Sequence, residues 1–319
     1  MRKISFTYAG TPEQPGAAGP TVYGDCYLPD EDCTVRGIVQ FVHGMDEHFG
    51  RYSLLAEALA ANGYVLCGED HRGHGRSMTT VFGSFSASGD GWRLVLSDLF
   101  RLRARLKTRF PGIPYILLGH SMGSFLVRSM LLADSAETPL ADAVILTGTA
   151  YHEAALLELG QAYCRSVIAV HGRETPMDSL MELSSVLYNL RIPKHETARD
   201  WVCSAPDILE TLKTDPYCGH SPTAGLFDDM LGGLLAVCAG AALTRRRYTM
   251  PVLLLSGKND PVGDYGAGVR KTAALLKPCC PSVETKLSPG IRHEVLLDVS
   301  RELVYRDILT FLDTHIGNR

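Results

Sequence analysis

The chain has 319 residues, 45% of them hydrophobic and 21% charged, with a formal net charge of -4. Such proportions belong to soluble folded proteins and exclude disordered and fibrous classes. No surplus of positive charge is present to neutralise a phosphate backbone, which excludes nucleic acid as a partner.

Arg2 and Lys3 open the chain, but residues 4–10 alternate apolar with polar side chains. That pattern is a strand and lacks the apolar core of a secretory signal, so the expected location is cytoplasmic. From residue 35 onward, short apolar runs ending in glycine or polar residues alternate with helix-length segments, the signature of parallel strands joined by crossover helices. Strands are predicted at 37–42, 64–68, 115–118 and 143–146, each too continuously apolar to keep a wet face. Helices are predicted at 52–62, 92–109 and 122–134 from apolar residues at helical spacing.

Residues 151–225 break this rhythm: they hold helical patterns at 153–161 and 179–190 but no convincing strand. No repeat or Pro/Gly-rich linker isolates them, so they read as a cap on one domain. The expected organisation is a core of 1–150 and 226–319 interrupted by a cap of 151–225. The apolar stretch 231–243 is about half of the roughly 20 residues a membrane span needs, and it reads as a buried helix. Strands at 252–255 and 283–287 and helices at 266–276 and 301–315 complete the alternation. The nine cysteines contain no C-x-x-C pair, which fits reduced buried thiols rather than disulfides or a zinc site.

Gly119-His120-Ser121-Met122-Gly123 matches the G-x-S-x-G nucleophile elbow, with a predicted strand before it and a predicted helix after it. Side chains two positions either side of the serine would collide where strand end and helix approach, hence the glycines. A serine hydroxyl needs a base and a group orienting that base, and this turn belongs to a fold that supplies them in the order serine, acid, histidine. Asp260 lies just beyond the strand at 252–255, and His293 lies in a loop after the strand at 283–287. Asp264 and Asp298 are rival acids, and His220 and His315 rival bases, all less well placed. Acyl transfer also needs amides aimed at the developing oxyanion, here the backbone N–H groups of Met45 and Met122. His43, Glu47 and His48 do not make a zinc motif, because their spacing is H-x-x-x-E-H and Gly44 ends a strand. Neither a metal nor a cofactor is expected. Glu47 and Arg51 are assigned instead to holding the oxyanion loop.

The segment His43-Gly44-Met45-Asp46-Glu47-His48-Phe49-Gly50-Arg51-Tyr52 resembles the H-G-x-x-E-H-x-x-R-Y stretch of monoacylglycerol lipases and bacterial lysophospholipases. Asp70-His71-Arg72-Gly73-His74-Gly75-Arg76-Ser77 resembles the D-H-x-G-H-G-x-S turn of the same family. The likeness covers about 35–150 and 252 onward. It implies the α/β-hydrolase fold, with a mostly parallel eight-stranded sheet, flanking helices and a helical cap insertion. It also implies cleavage of a small-molecule, single-chain acyl ester by Ser121, His293 and Asp260, with at most peripheral membrane contact through the cap. The family includes proteins labelled serine aminopeptidases, so an amidase of the same fold is the alternative, with Glu153, Glu158, Glu174, Asp178 and Glu182 available to hold an ammonium. A short-chain carboxylesterase and a catalytically idle binding protein are the other readings, and the complete set of three site residues argues against the last.

Overall fold

A computed structural model describes residues 1–78, 81–133, 139–238 and 241–317, with the backbone alone at 241–242. Strands β1 (Arg2–Ala9), β2 (Thr21–Leu28), β3 (Gly37–Val42), β4 (Tyr64–Glu69), β5 (Tyr115–His120), β6 (Ala143–Thr147), β7 (Val252–Gly257) and β8 (Val283–Ser288) form one eight-stranded sheet in the order β1-β2-β4-β3-β5-β6-β7-β8. The pairings β1–β2 and β2–β4 are antiparallel, and those from β4–β3 through to β7–β8 are parallel.

Alternation along the central strands sends successive side chains to opposite faces. Ile116, Leu118, Leu253 and Leu255 pack on one side with the closing helix, while Leu117, Val144 and Leu254 pack on the other. Every residue of β3, β4, β5, β6 and β7 is buried, as expected of strands covered on both faces. The flanking helices are α1 (Ser53–Ala60), α2 (Gly91–Arg109), α3 (Met122–Leu131), α9 (Ala267–Leu276) and α10 (Arg301–His315). Helix α10 buries Val304, Tyr305, Ile308, Phe311 and Leu312, a stripe at helical spacing. Asp134, the predicted end of the third helix, lies outside the described residues.

Between β6 and β7 the chain forms α4 (Ala154–His171), α5 (Asp178–Asn189), α6 (Pro206–Thr214), α7 (Ala224–Cys238) and the short α8 (Ala241–Thr244). Among the described residues, only an isolated bridge between Pro176 and Thr223 interrupts this helical run. Helix α7 packs on α4 of the insertion and on α2 and α3 of the core, joining the two. It starts well before the apolar stretch 231–243, whose residues 239–240 are outside the description. No helix among the described residues is long and apolar enough to cross a membrane.

Strand β2 and helix α6 have no counterpart among the predicted elements, and α4 runs far beyond the predicted 153–161. Strand β2 carries Val22, Gly24, Cys26 and Leu28 on one face and Thr21, Tyr23, Asp25 and Tyr27 on the other, and most of it is buried between β1 and β4. Helix α6 carries a start signal, Pro206 in its first turn followed by Asp207.

Candidate active site

Ser121 stands where β5 ends and α3 begins, at φ 51 and ψ -122. A side chain other than glycine held at positive φ costs about 1–3 kcal/mol, which the surroundings must offset. They do so with the Ser121 N–H donating to the Thr147 carbonyl at 2.9 Å and the Ser124 N–H donating to the Ser121 carbonyl at 2.8 Å. The flanking glycines have no room for anything larger. A Cβ on Gly119 would lie 2.5 Å from the Gly123 carbonyl oxygen, and one on Gly123 would lie 1.9 Å from that of Val42.

Asp260 and His293 arrive from the loops after β7 and β8. The Asp260 carboxylate is fully buried and accepts from Ser256 Oγ at 2.9 Å and from the Val262 N–H at 2.9 Å. Its Oδ1 lies 3.0 Å from His293 Nδ1, and His293 Nε2 lies 2.8 Å from Ser121 Oγ. An ionised carboxylate can only accept, so Nδ1 carries the imidazole proton and Nε2 presents a lone pair to the Ser121 hydroxyl. Burial pulls the His293 pKa down, but the charge and hydrogen bond of Asp260, helped by Glu294 and Glu47, more than offset it, and the net shift is upward. His120, whose ring centroid is 5.1 Å from that of His293, is held well below the ordinary histidine value by burial and then by His293.

The loop after β3 is held from within. Glu47 accepts from the Gly44 N–H, from Tyr52 Oη at 2.6 Å and from Arg51 at 3.0 Å. Arg51 also donates through both terminal nitrogens to Glu294, beside His293, at 2.5 and 2.8 Å. Gly44 lets this loop close on Ser121, since a Cβ there would sit 3.1 Å from Ser121 Cβ. The N–H groups of Met45 and Met122 donate to no protein acceptor among the described residues, and both residues line the cavity that contains Ser121.

Other candidates have different surroundings. Asp298 accepts from the N–H groups of Ser204 and Arg292 and stays out of reach of His293; Asp264 is exposed. His315 meets Glu284 at the far end of α10, while His220 Nε2 bonds the Pro216 carbonyl. His43 Nε2 accepts the His71 N–H at 2.9 Å, so its Nδ1–H donates to the Gly44 carbonyl at 2.7 Å. Asp70 accepts the Phe49 and Arg76 N–H groups, and the 70–77 turn thereby scaffolds the same loop. Sequence reasoning missed Trp201, whose ring centroid is 5.5 Å from that of His293, and Arg199, which donates to Asp46 at 2.6 Å.

Above Ser121 opens a cavity of about 560 Å³ whose walls include Leu156, Leu157, Leu180, Met181 and Leu231. The predicted apolar stripes of the insertion thus divide. Leu156, Leu157, Leu180 and Met181 reach the cavity, whereas Leu159 (69% exposed), Leu183, Val186 (61%) and Leu187 face outward and serve neither core nor cleft. Of the acidic residues considered, Asp178 and Glu182 line the cavity, and Glu153 pairs with Lys271 at 2.7 Å.

This sheet order, with a serine on a strand-to-helix elbow and an imidazole behind it, is that of an α/β-hydrolase. Residues 34–300 match the family described as serine aminopeptidase, S33, and the chain belongs to that family. It is 28% identical to a monoacylglycerol lipase of Mycolicibacterium smegmatis, over 94% of this chain and 96% of that protein. Its fold superposes on a thermostable carboxyl esterase from Bacillus coagulans in complex with glycerol with a TM-score of 0.83, at 26% identity over 99% of both chains. A lipase in an open form gives a TM-score of 0.85 at 24% identity over the whole of both chains, a likeness of fold.

Proposed function

We propose that the protein is a serine hydrolase that cleaves single-chain carboxylic esters, monoacylglycerols first among them, through an acyl-enzyme. The observation that carries this reading is the 2.8 Å approach of Ser121 Oγ to the lone-pair nitrogen of His293 on the floor of an apolar cavity. Ser121 attacks the ester carbonyl as His293 Nε2 takes its proton, and Asp260 fixes the tautomer and stabilises the imidazolium. The N–H groups of Met45 and Met122 receive the oxyanion, worth roughly 3 kcal/mol for each such donor. His293 returns the proton to the leaving alcohol, then activates a water that releases the fatty acid and frees Ser121.

In this reading, residues 151–225 cap the site and their inward apolar side chains hold the acyl chain. The cavity lies within the roughly 300–1,000 Å³ typical of small-molecule sites, and the names of the lipase and esterase relatives support an ester as substrate. Nine free cysteines, most of them buried, favour a reducing compartment such as the cytoplasm. The test is kcat/KM across glycerol monoesters from acetyl to palmitoyl, with specificity expected to rise with chain length until the cavity is full.

A second reading, an aminopeptidase, is favoured by Asp178 and Glu182 at the cavity, where they would hold a substrate ammonium. Both are exposed, which weakens such a contact. Faster cleavage of aminoacyl amides than of any ester would put this reading first.

A further inference from the structure

His48 has a second set of neighbours that the sequence could not bring to it. It precedes the short 3-10 helix Phe49–Tyr52, and its ring is confined on both sides. A Cβ on Gly50 would lie 2.9 Å from the ring and one on Gly75 would lie 2.8 Å from His48 Cβ, so glycine is needed at both positions for the ring to sit where it does. So held, Nε2 points at Asp215 Oδ2, 2.8 Å away across the junction with the inserted segment. Asp215 follows α6 and is fixed in turn, since its Oδ1 accepts the Tyr217 N–H at 2.9 Å and its carbonyl accepts the Cys218 N–H at 3.1 Å. That turn brings the Cys218 thiol to the same point. One nitrogen, one oxygen and one sulfur atom, from His48, Asp215 and Cys218, all lie within 4.8 Å of one another, and this is the one such cluster among the described residues.

We propose that His48, Asp215 and Cys218 form a binding site for a thiophilic divalent cation, zinc above all, which clamps the loop after β3 to the inserted segment. A mixed imidazole, carboxylate and thiolate set suits zinc and disfavours magnesium and calcium, which take oxygen ligands. Zinc bonds of 2.0–2.3 Å place tetrahedral ligand atoms roughly 3.3–3.8 Å apart. His48 and Asp215 therefore need to part by about half an ångström, and the sulfur to close by at most about one. Three protein ligands leave a fourth position for water. None of the three side chains lines the cavity above Ser121, so the site is separate from the hydrolytic one and the proposal does not depend on the ester reading.

The protons balance without any redox step. Cysteine ligates zinc as its thiolate, so zinc displaces the Cys218 proton to solvent as the Sγ–Zn bond forms. The proton that His48 Nε2 shares with Asp215 moves to Nδ1, which leaves the imidazole neutral and frees the Nε2 lone pair for the metal. One proton is released per zinc bound, and affinity rises with pH. His48 stands three positions after Met45, and Cys218 two before His220, whose N–H holds Asp46 at 2.8 Å. The metal thereby stiffens the loop that carries the Met45 amide.

The experiment is a titration of the intact reduced protein with cobalt(II), followed by displacement with zinc. A thiolate-to-cobalt charge-transfer band saturating at one ion per chain is expected, together with release of one proton and a rise in the thermal transition on adding zinc. Cys218→Ser should abolish the charge-transfer band. Asp215→Asn, which keeps the shape of the side chain, should weaken zinc binding and serves if the serine variant fails to fold. Absence of the band, or a band and zinc affinity unchanged in both variants, would overturn the site.

Discussion

Arg51 and Glu294, 243 positions apart, face each other as a two-pronged buried pair next to His293, and the same guanidinium also meets Glu47 of the loop after β3. One cation thus serves two buried carboxylates. Replacing it with alanine leaves both without a counter-charge, and breaking a buried pair in this way typically costs about 3–5 kcal/mol. Arg51→Ala is expected to lose stability of that order in urea unfolding, and what folds should lose kcat far more than KM, because the loop and the histidine shift together. A loss below about 1 kcal/mol would show the pair to be dispensable, as exposed pairs are.

A fluorophosphonate probe should label the protein at Ser121. Ser121→Ala should lose that label, with turnover falling on the order of 10⁵–10⁶-fold, the loss expected when a serine nucleophile is removed. Peptide mapping of the adduct decides the matter, and a label on any other serine would remove Ser121 from its role.

His293 is expected to set the pH dependence. Only its neutral form accepts the Ser121 proton, and its pKa is raised, so activity should fall on acidification with a midpoint above the ordinary value of about 6.5. Asp260→Asn removes the largest raising influence, so the acid limb should move down while kcat falls about 10⁴-fold. Profiles of kcat/KM against pH for both proteins check this, and a wild-type midpoint at or below 6.5 would contradict the geometry.

The cavity predicts a chain-length profile. Each methylene buried adds up to about 0.8 kcal/mol, roughly a fourfold gain in kcat/KM, until the space is full. Leu231→Trp should fill part of the wall and move the optimum to shorter esters with little change for acetyl substrates. An optimum that stays put would mean that the acyl chain lies elsewhere.

The meeting of Ser121, Asp260 and His293 was legible in the sequence because an elbow serine, an acid and a histidine each follow a strand, and the strands announce themselves as buried apolar runs. The role of Glu47 was legible too, since its partner Arg51 lies one helical turn away. Glu294 was visible beside His293, yet nothing local reveals an arginine 243 positions earlier. Trp201 and Arg199 sit in a segment whose helices pack by shape, without a motif to mark them. Periodicity identified an apolar face on α5, but it could not say that Leu183 and Val186 look outward while Leu180 and Met181 look in. Strand β2 escaped although Val22, Cys26 and Leu28 share one face, because Gly24 interrupts that face and Asp25 stands between two tyrosines on the other, which leaves no apolar run to mark it.

The contact between Gly123 and the Val42 carbonyl constrains any attempt to redesign this protein. Positions 119 and 123 are closed to every other amino acid, and the turn between them is welded to β3, so a library aimed at the nucleophile's surroundings would consist mostly of misfolded clones. Diversity should be tolerated on the helices that roof the cavity, where a changed side chain alters the shape of the space above Ser121 and leaves the Ser121–His293–Asp260 geometry untouched. New specificities should therefore be selected from α4 and α5, with the sheet used as a fixed chassis.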